Sequence, residues 1–170
     1  MTREELDREL ERLHAASFGW ALTCCRQDRD EAEDVLQTAY LRAIEGRARF
    51  NGHASTRTWF FGVVRNAAAE RRRTRWVRGE ALLRWVQRAP SPEPSPTPEG
   101  ASNRAESCRR VREVLTRLSS RQREMLHLVF YQDLTIEQAA QVVHIPVGTA
   151  RTHYERGKAN LRRLLAEEDR

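Results

Sequence analysis

The sequence predicts an all-α protein made of two small helical domains joined by a Pro-rich linker. Three observations lead there. Apolar residues recur at steps of three and four through both halves, and no segment alternates at the strand period of two. Five of the six prolines fall in APSPEPSPTPEGAS, residues 89–102, which can be neither helix nor central strand and reads as a stiff, polyproline-like tether. A length of 170 residues suits one domain or two small ones. The tether selects two, residues 1–88 and 104–170, with 89–103 as flexible linker.

Composition narrows the partners. The net charge of +6, the pI of about 10.0 and the mean hydropathy of -0.74 favour a soluble chain with an anionic partner, nucleic acid first. Lys158 is the only lysine, so almost all positive charge sits on planar, forked guanidinium groups suited to phosphate and guanine. The longest apolar run is WFFGVV at 59–64, far short of the roughly 18 residues a membrane helix needs, so no membrane insertion is expected. The charged start MTREELDRELERL is unlike a secretion signal, and a cytoplasmic location is expected. Cys24 and Cys25 are adjacent, Cys108 is remote, and no Cys/His spacing suggests a metal or a disulfide framework. Reduced, partly buried thiols are expected, and no metal or cofactor. His14, His53, His127, His144 and His153 are scattered, which with the lack of a carboxylate cluster argues against an enzyme.

In chain order, Leu6, Leu10, Leu13, Phe18, Ala21 and Leu22 predict one helix over 3–25. RQDRDE at 26–31 is a polar turn in which Asp28 or Asp30 caps a second helix over 30–46, with Glu31 and Glu33 suiting its dipole. Ala32, Val35, Leu36, Ala39, Tyr40, Ala43 and Ile44 form its buried stripe; Asp34, Gln37, Thr38 and Arg42 lie outside it. RFNGHAST at 49–56 is a loop with an Asn51-Gly52 turn signal, and Ser55 caps the helix beginning TRTWFFGVVRNAAAERRR. That helix buries Trp59, Phe60, Val63, Val64, Ala67 and Ala68, leaves Arg65 and Asn66 available, and is expected to continue through Trp76 toward Val86. Arg71, Arg72, Arg73, Arg75 and Arg78 make a dense basic run that is either a solvated face or a phosphate-tracking one.

Beyond the tether a helix is expected over Arg104–Leu118, then one capped by Ser119 with Met125, Leu128 and Val129 facing the core. Thr135 with Gln138 makes a capping-box pattern for a short helix carrying Ile136, Ala139, Ala140 and Val143. It should stop near His144, because Pro146 disfavours helical geometry at Ile145 and is suited to the first position of the next helix. In that last helix Ala150, Tyr154, Gly157, Leu161 and Leu164 face inward, and Arg151, Thr152, Glu155, Arg156 and Lys158 face out. Two helices joined this way are either a helix-turn-helix with a DNA-reading second helix or an ordinary helical hairpin with a solvated face.

In the first half DEAEDVLQTAYLRA at 30–43, Phe50, Trp59 and the Arg65-Asn66 pair, and in the second LTRLSSRQREMLHLVFYQDLTIEQAAQVVHIPVGTARTHYERGKANL, resemble regions 2 and 4 of the extracytoplasmic-function (ECF) class of bacterial RNA polymerase sigma factors. IPVGTA followed by a basic helix is the most specific part. The resemblance implies a region 2 helical bundle and a region 4 helix-turn-helix. It implies docking on the beta-prime and beta subunits of the polymerase core through Asp34, Gln37 and Thr38. It implies capture of the opened minus-ten strand by Phe50, Asn51, His53, Ser55, Trp59, Arg65, Asn66, Arg72 and Arg73, and duplex minus-thirty-five reading by Val147, Gly148, Thr149, Arg151, Thr152, Glu155 and Arg156. It further implies promoter DNA as partner, an anti-sigma factor that can hold the protein at a membrane, a place at the nucleoid, and no active site. Thr38 stands where the family usually has an acid, Val129 where it often has an Arg, and Asp133 and His144 where glycines are common; either His144 is left-handed, at some cost, or the turn differs a little from the family's. A sigma mimic that binds a sigma regulator would be expected to lose the basic face that Arg151, Arg156 and Lys158 keep. A stand-alone helix-turn-helix regulator leaves the Trp59–Asn66 segment unexplained.

Overall fold

The computed structural model describes residues 2–77 and 102–168. The expected continuation of the third helix toward Val86, the tether at 89–101 and Arg78 lie outside the described residues, as does the side chain of Cys108.

Every described regular element is helical. The first is α1 (Arg3–Arg12), closed at its start by a capping box between Thr2 and Glu5. The single helix expected over 3–25 is instead two, because ψ reaches -4° at Leu13 and α2 (His14–Cys24) leaves in a new direction. Tyr40 accounts for the break: its hydroxyl donates to the Leu10 carbonyl at 3.4 Å and its ring stacks on His14 at 5.9 Å, so both sides of Leu13 turn toward one side chain. Asp28 caps α3 (Arg29–Ile44) by accepting from the Glu31 N–H at 3.0 Å. Ser55 accepts from the Thr58 N–H at 3.1 Å at the start of α4 (Thr56–Val77).

The C-terminal half begins with α5 (Ser102–Arg117), and Ser119 caps α6 (Ser120–Leu126). The helix expected to run on through Asp133 changes character at His127–Tyr131, a π-helical turn in which the Gln132 N–H reaches the His127 carbonyl at 3.1 Å. The wider turn brings Gln132 inside, 1% exposed, and leaves Phe130 and Tyr131 facing out. The capping box of Thr135 and Gln138 starts α7 (Ile136–Val143), and His144 ends it in the left-handed region at φ 52°. Asp133 is left-handed too, at φ 50°. In α8 (Val147–Glu168) Ala150, Gly157 and Leu164 are buried as expected.

The two halves do not keep separate cores. Trp20, Val35, Phe60, Phe61 and Val64 from the N-terminal half form one buried cluster with Met125, Leu128, Leu134, Ala139, Ala140, Val142 and Val143. Burying apolar area is non-directional, so two modest amphipathic bundles gain by covering each other's remaining apolar faces. A second, smaller cluster of Val114, Leu118, Leu126 and Leu164 belongs to the C-terminal half alone. No described helix is long and apolar enough to cross a membrane.

Candidate nucleic-acid interface

The loop after α3 and the first turns of α4 make the wall of a cleft. Its volume is about 920 Å³, and Asn51, His53, Trp59 and Asn66 line it together with Arg42, Arg47 and Arg49. Gly52, at φ +75°, supplies the positive-φ turn that brings this loop back over α4. His53 N–H donates to Asn51 Oδ1 at 3.2 Å, and Phe50 meets Trp59 edge to face at 5.3 Å. The result is a cleft with the Trp59 ring in its lining and amide and cationic groups around it, a surface on which a base can stack and its phosphates find a charge; Phe50 packs against that ring but does not itself line the cleft. Ser55 is engaged with Thr58 as a cap and does not line the cleft.

The opposite wall comes from the C-terminal half. Glu137, Gln141, His144, Pro146 and Val147 complete the cleft, and His144 Nε2 lies 3.4 Å from Asn66 Nδ2. Arg65 does not point into open solvent: its Nε donates to Glu124 Oε2 at 3.3 Å, with side chains 11% and 8% exposed. Arg121 donates to the same oxygen at 3.0 Å. Burial pushes the Glu124 carboxyl above the usual range, against the pull of Arg65, so desolvation outweighs pairing at this carboxylate.

Behind this pair runs a second set of contacts between the halves. Gln132 Oε1 accepts from Arg57 at 2.6 Å, which orients the amide. Gln132 Nε2 then donates to the Ala16 carbonyl at 3.3 Å and to His127 Nε2 at 3.1 Å. His127 Nε2 is thereby an acceptor, so the ring proton belongs on Nδ1, which donates to Thr23 Oγ1 at 2.9 Å. Burial pushes this imidazole down to about 4, so it stays neutral.

The basic run on α4 is partly neutralised within the N-terminal half. Arg71 pairs with Asp34 at 2.5 Å, Arg75 with Glu31 at 2.7 Å, and Arg42 with Glu70 at 2.6 Å. The dense cluster thus meets α3 carboxylates as well as any outside anion, while Arg72 and Arg73 remain exposed. Asp34 is held in this ladder, and Thr38 Oγ1 donates to its backbone carbonyl at 2.8 Å. Gln37 is exposed. Ile44, expected in the buried stripe, is 41% exposed, and Leu41 is 51% exposed. They line a groove with Phe18, Leu36, Gln37 and Tyr40. Sequence reasoning missed this apolar face because the last turn of a helix can leave its core before its apolar period ends.

At the start of α8, Val147, Gly148 and Thr149 are exposed, as are Arg151, Thr152, Glu155 and Arg156. Thr152 Oγ1 donates to the Gly148 carbonyl at 3.0 Å. Arg151 lies 3.8 Å from Glu137, and Glu155 pairs with Lys158 at 3.0 Å. Cys24 and Cys25 are buried free thiols; burial raises both, Cys25 to about 12.

Comparison with known proteins accounts for this arrangement. The family model for Sigma-70 region 2 matches residues 10–78, and that for Sigma-70, region 4 matches residues 108–161. The ECF RNA polymerase sigma factor SigC of Mycobacterium tuberculosis is 29% identical over 147 residues, covering 82% of this chain and 72% of that protein. SigW of Bacillus subtilis, another ECF RNA polymerase sigma factor, is 26% identical over 146 residues, covering 81% of this chain and 76% of its own. The sigma factor RpoE, solved with the anti-sigma factor NepR from Bartonella quintana, shares the fold at a TM-score of 0.73 and 21% identity, covering 96% of this chain and 98% of that one. CnrH, solved with the cytosolic domain of CnrY, does so at 0.66 and 19%, covering 98% and 90%. With both family regions matched in order, and full-length relatives spanning the linker between them, the chain belongs to the extracytoplasmic-function class of RNA polymerase sigma factors.

Proposed function

We propose that this sigma factor brings the polymerase core to its promoters by gripping DNA at two places, one paired and one opened. The observation that carries the reading is the cleft in which Asn51, His53 and Asn66 share the lining with the Trp59 ring. Melting requires a site that returns the few kcal/mol per nucleotide lost on unstacking, and such a pocket supplies stacking and base-edge hydrogen bonds together. Residues 1–88 act as the region 2 domain and 104–170 as the region 4 domain, with 89–103 between them. Arg65, Arg72 and Arg73 hold the strand backbone. Ser55 serves this site indirectly, by starting α4.

Arg151, Thr152 and Glu155 read base edges of the minus-thirty-five duplex from the exposed face of α8. Arg pairs with guanine O6 and N7 and Glu accepts from cytosine N4, while Arg156 holds phosphate. Val147, Gly148 and Thr149 bring backbone N–H groups of the helix start toward the DNA backbone. The polymerase core docks on α3, with Gln37 beside the exposed Leu41 and Ile44, and with Asp34 and Thr38 on the adjoining face. The protein works by binding alone, and the polymerase makes the RNA. An anti-sigma factor is the expected regulator, as for the sigma factor RpoE solved with NepR.

The closed arrangement is a form that is not engaged with a promoter. His144, three residues before α8, touches the strand pocket, whereas each helical turn of duplex between two promoter elements separates them by roughly 34 Å. The test is transcription with purified bacterial core on a randomised promoter pool. Promoter-dependent transcripts sharing two separated sequence elements are expected. Core binding without transcripts from any pool member would remove the reading.

A further inference from the structure

Two of the groups assigned to the opened strand are already occupied in the closed chain, and by side chains of the other half. Arg65 is turned to Glu124, a carboxylate at the distance and charge of a strand phosphate, in a nearly dry site. Asn66 is met by His144, whose Nε2 is 3.8 Å from where a Cβ on Gly62 would stand. We propose that the C-terminal half is a built-in latch on the strand pocket: Glu124 stands on Arg65 in place of a phosphate and His144 stands on Asn66 in place of a base, so closure and strand capture exclude one another. The inference rests on the strand-pocket assignment above.

The contact at Glu124 sits at a cost, which makes the latch releasable. Glu124 is a carboxylate whose desolvation outweighs its pairing. The left-handed backbone of His144 belongs to the turn between α7 and α8 within the C-terminal half, so it favours neither the closed nor the open form. Neither group is used by the reader face of α8, so their roles in closure are separable from duplex recognition. A DNA strand that binds only the open form then pulls the chain open. Its apparent affinity is reduced by the fraction of chains that are open before it arrives. Duplex binding by Arg151 and Arg156 carries no such reduction, because both side chains are exposed in the closed form.

The experiment uses the full chain with fluorophores at Glu33 and Arg162, both exposed, and a mixed-sequence single-stranded oligonucleotide of about 12 nucleotides. Glu124→Gln and His144→Gly are compared with the wild type. Both variants are expected to lengthen the label separation and to raise apparent single-strand affinity about tenfold, the worth of one charge-assisted contact, with duplex affinity unchanged. His144→Gly relieves a strained backbone, so its melting temperature should not fall, and it remains informative if Glu124→Gln folds poorly. Adding the oligonucleotide to wild type should lengthen the separation as well. Unchanged separation and unchanged single-strand affinity in His144→Gly, with single strands still bound, would overturn the latch alone. A lengthened separation with no single-strand binding by any form would overturn the strand pocket, and the latch with it.

Discussion

Acidification should open this protein through His127 before its carboxylates are exhausted. In the closed chain Nε2 of His127 already accepts from Gln132, so a second ring proton would set N–H against N–H at the buried Gln132 amide. Burial holds the group at about 4, against 6.5 for the free side chain. Above about 6.5 the ring is neutral in both states and its contribution is fully present. As pH falls toward 4 the opened or unfolded chain takes up a proton that the closed chain refuses, and stability is lost. The difference of about 2.5 pH units, at roughly 1.36 kcal/mol each, puts the loss near 3 kcal/mol at pH 4. Glu124 works in the opposite direction, since its raised carboxyl binds a proton more readily in the closed form. The two are separated by comparing urea midpoints of wild type and His127→Gln from pH 7.5 to about 4. The wild type should lose about 3 kcal/mol more than the variant over that range. Parallel pH profiles for the two proteins would refute the assignment of the proton.

Two further perturbations test other parts of the molecule. Arg156→Ala should weaken promoter binding for all sequences alike and reduce the slope of log affinity against log salt by about one phosphate's worth, read by titration at several salt concentrations; an unchanged slope takes Arg156 off the DNA. Gly157→Leu should cost about 1–3 kcal/mol in thermal unfolding, because even a Cβ there meets Gln122 and Leu126 at 3.3 Å where α8 crosses α6; a neutral outcome would mean that the crossing is looser than described.

Local chemistry was the legible part of this chain. Asp28, Ser55, Ser119 and the Thr135–Gln138 box were readable because a cap is decided by three or four neighbouring residues. The helix end near His144 was readable from Pro146, and a left-handed His144 was one of two readings offered by the glycine common at that turn. What depends on distant contacts was hidden. Nothing within residues 3–25 announces the break at Leu13, which follows from Tyr40 on another helix. The π turn at His127–Tyr131 follows from burying Gln132 against Ala16 and Arg57 in the other half. The basic run on α4 looked as if it needed an anion from outside, because sequence spacing does not place Asp34 beside Arg71 or Glu31 beside Arg75. Arg65 and Asn66 were candidates by resemblance, whereas their engagement by Glu124 and His144 required a view of both halves together.

The ladder of Arg42–Glu70, Asp34–Arg71 and Glu31–Arg75 has a mechanical meaning. It cross-braces α3 to α4 over several turns, in addition to the apolar seam beneath. The helix proposed to meet the polymerase and the helix proposed to line the strand pocket are therefore tied to each other at three points. On that proposal, a partner seated on α3 would hold Trp59 and Asn66 in place through those ties.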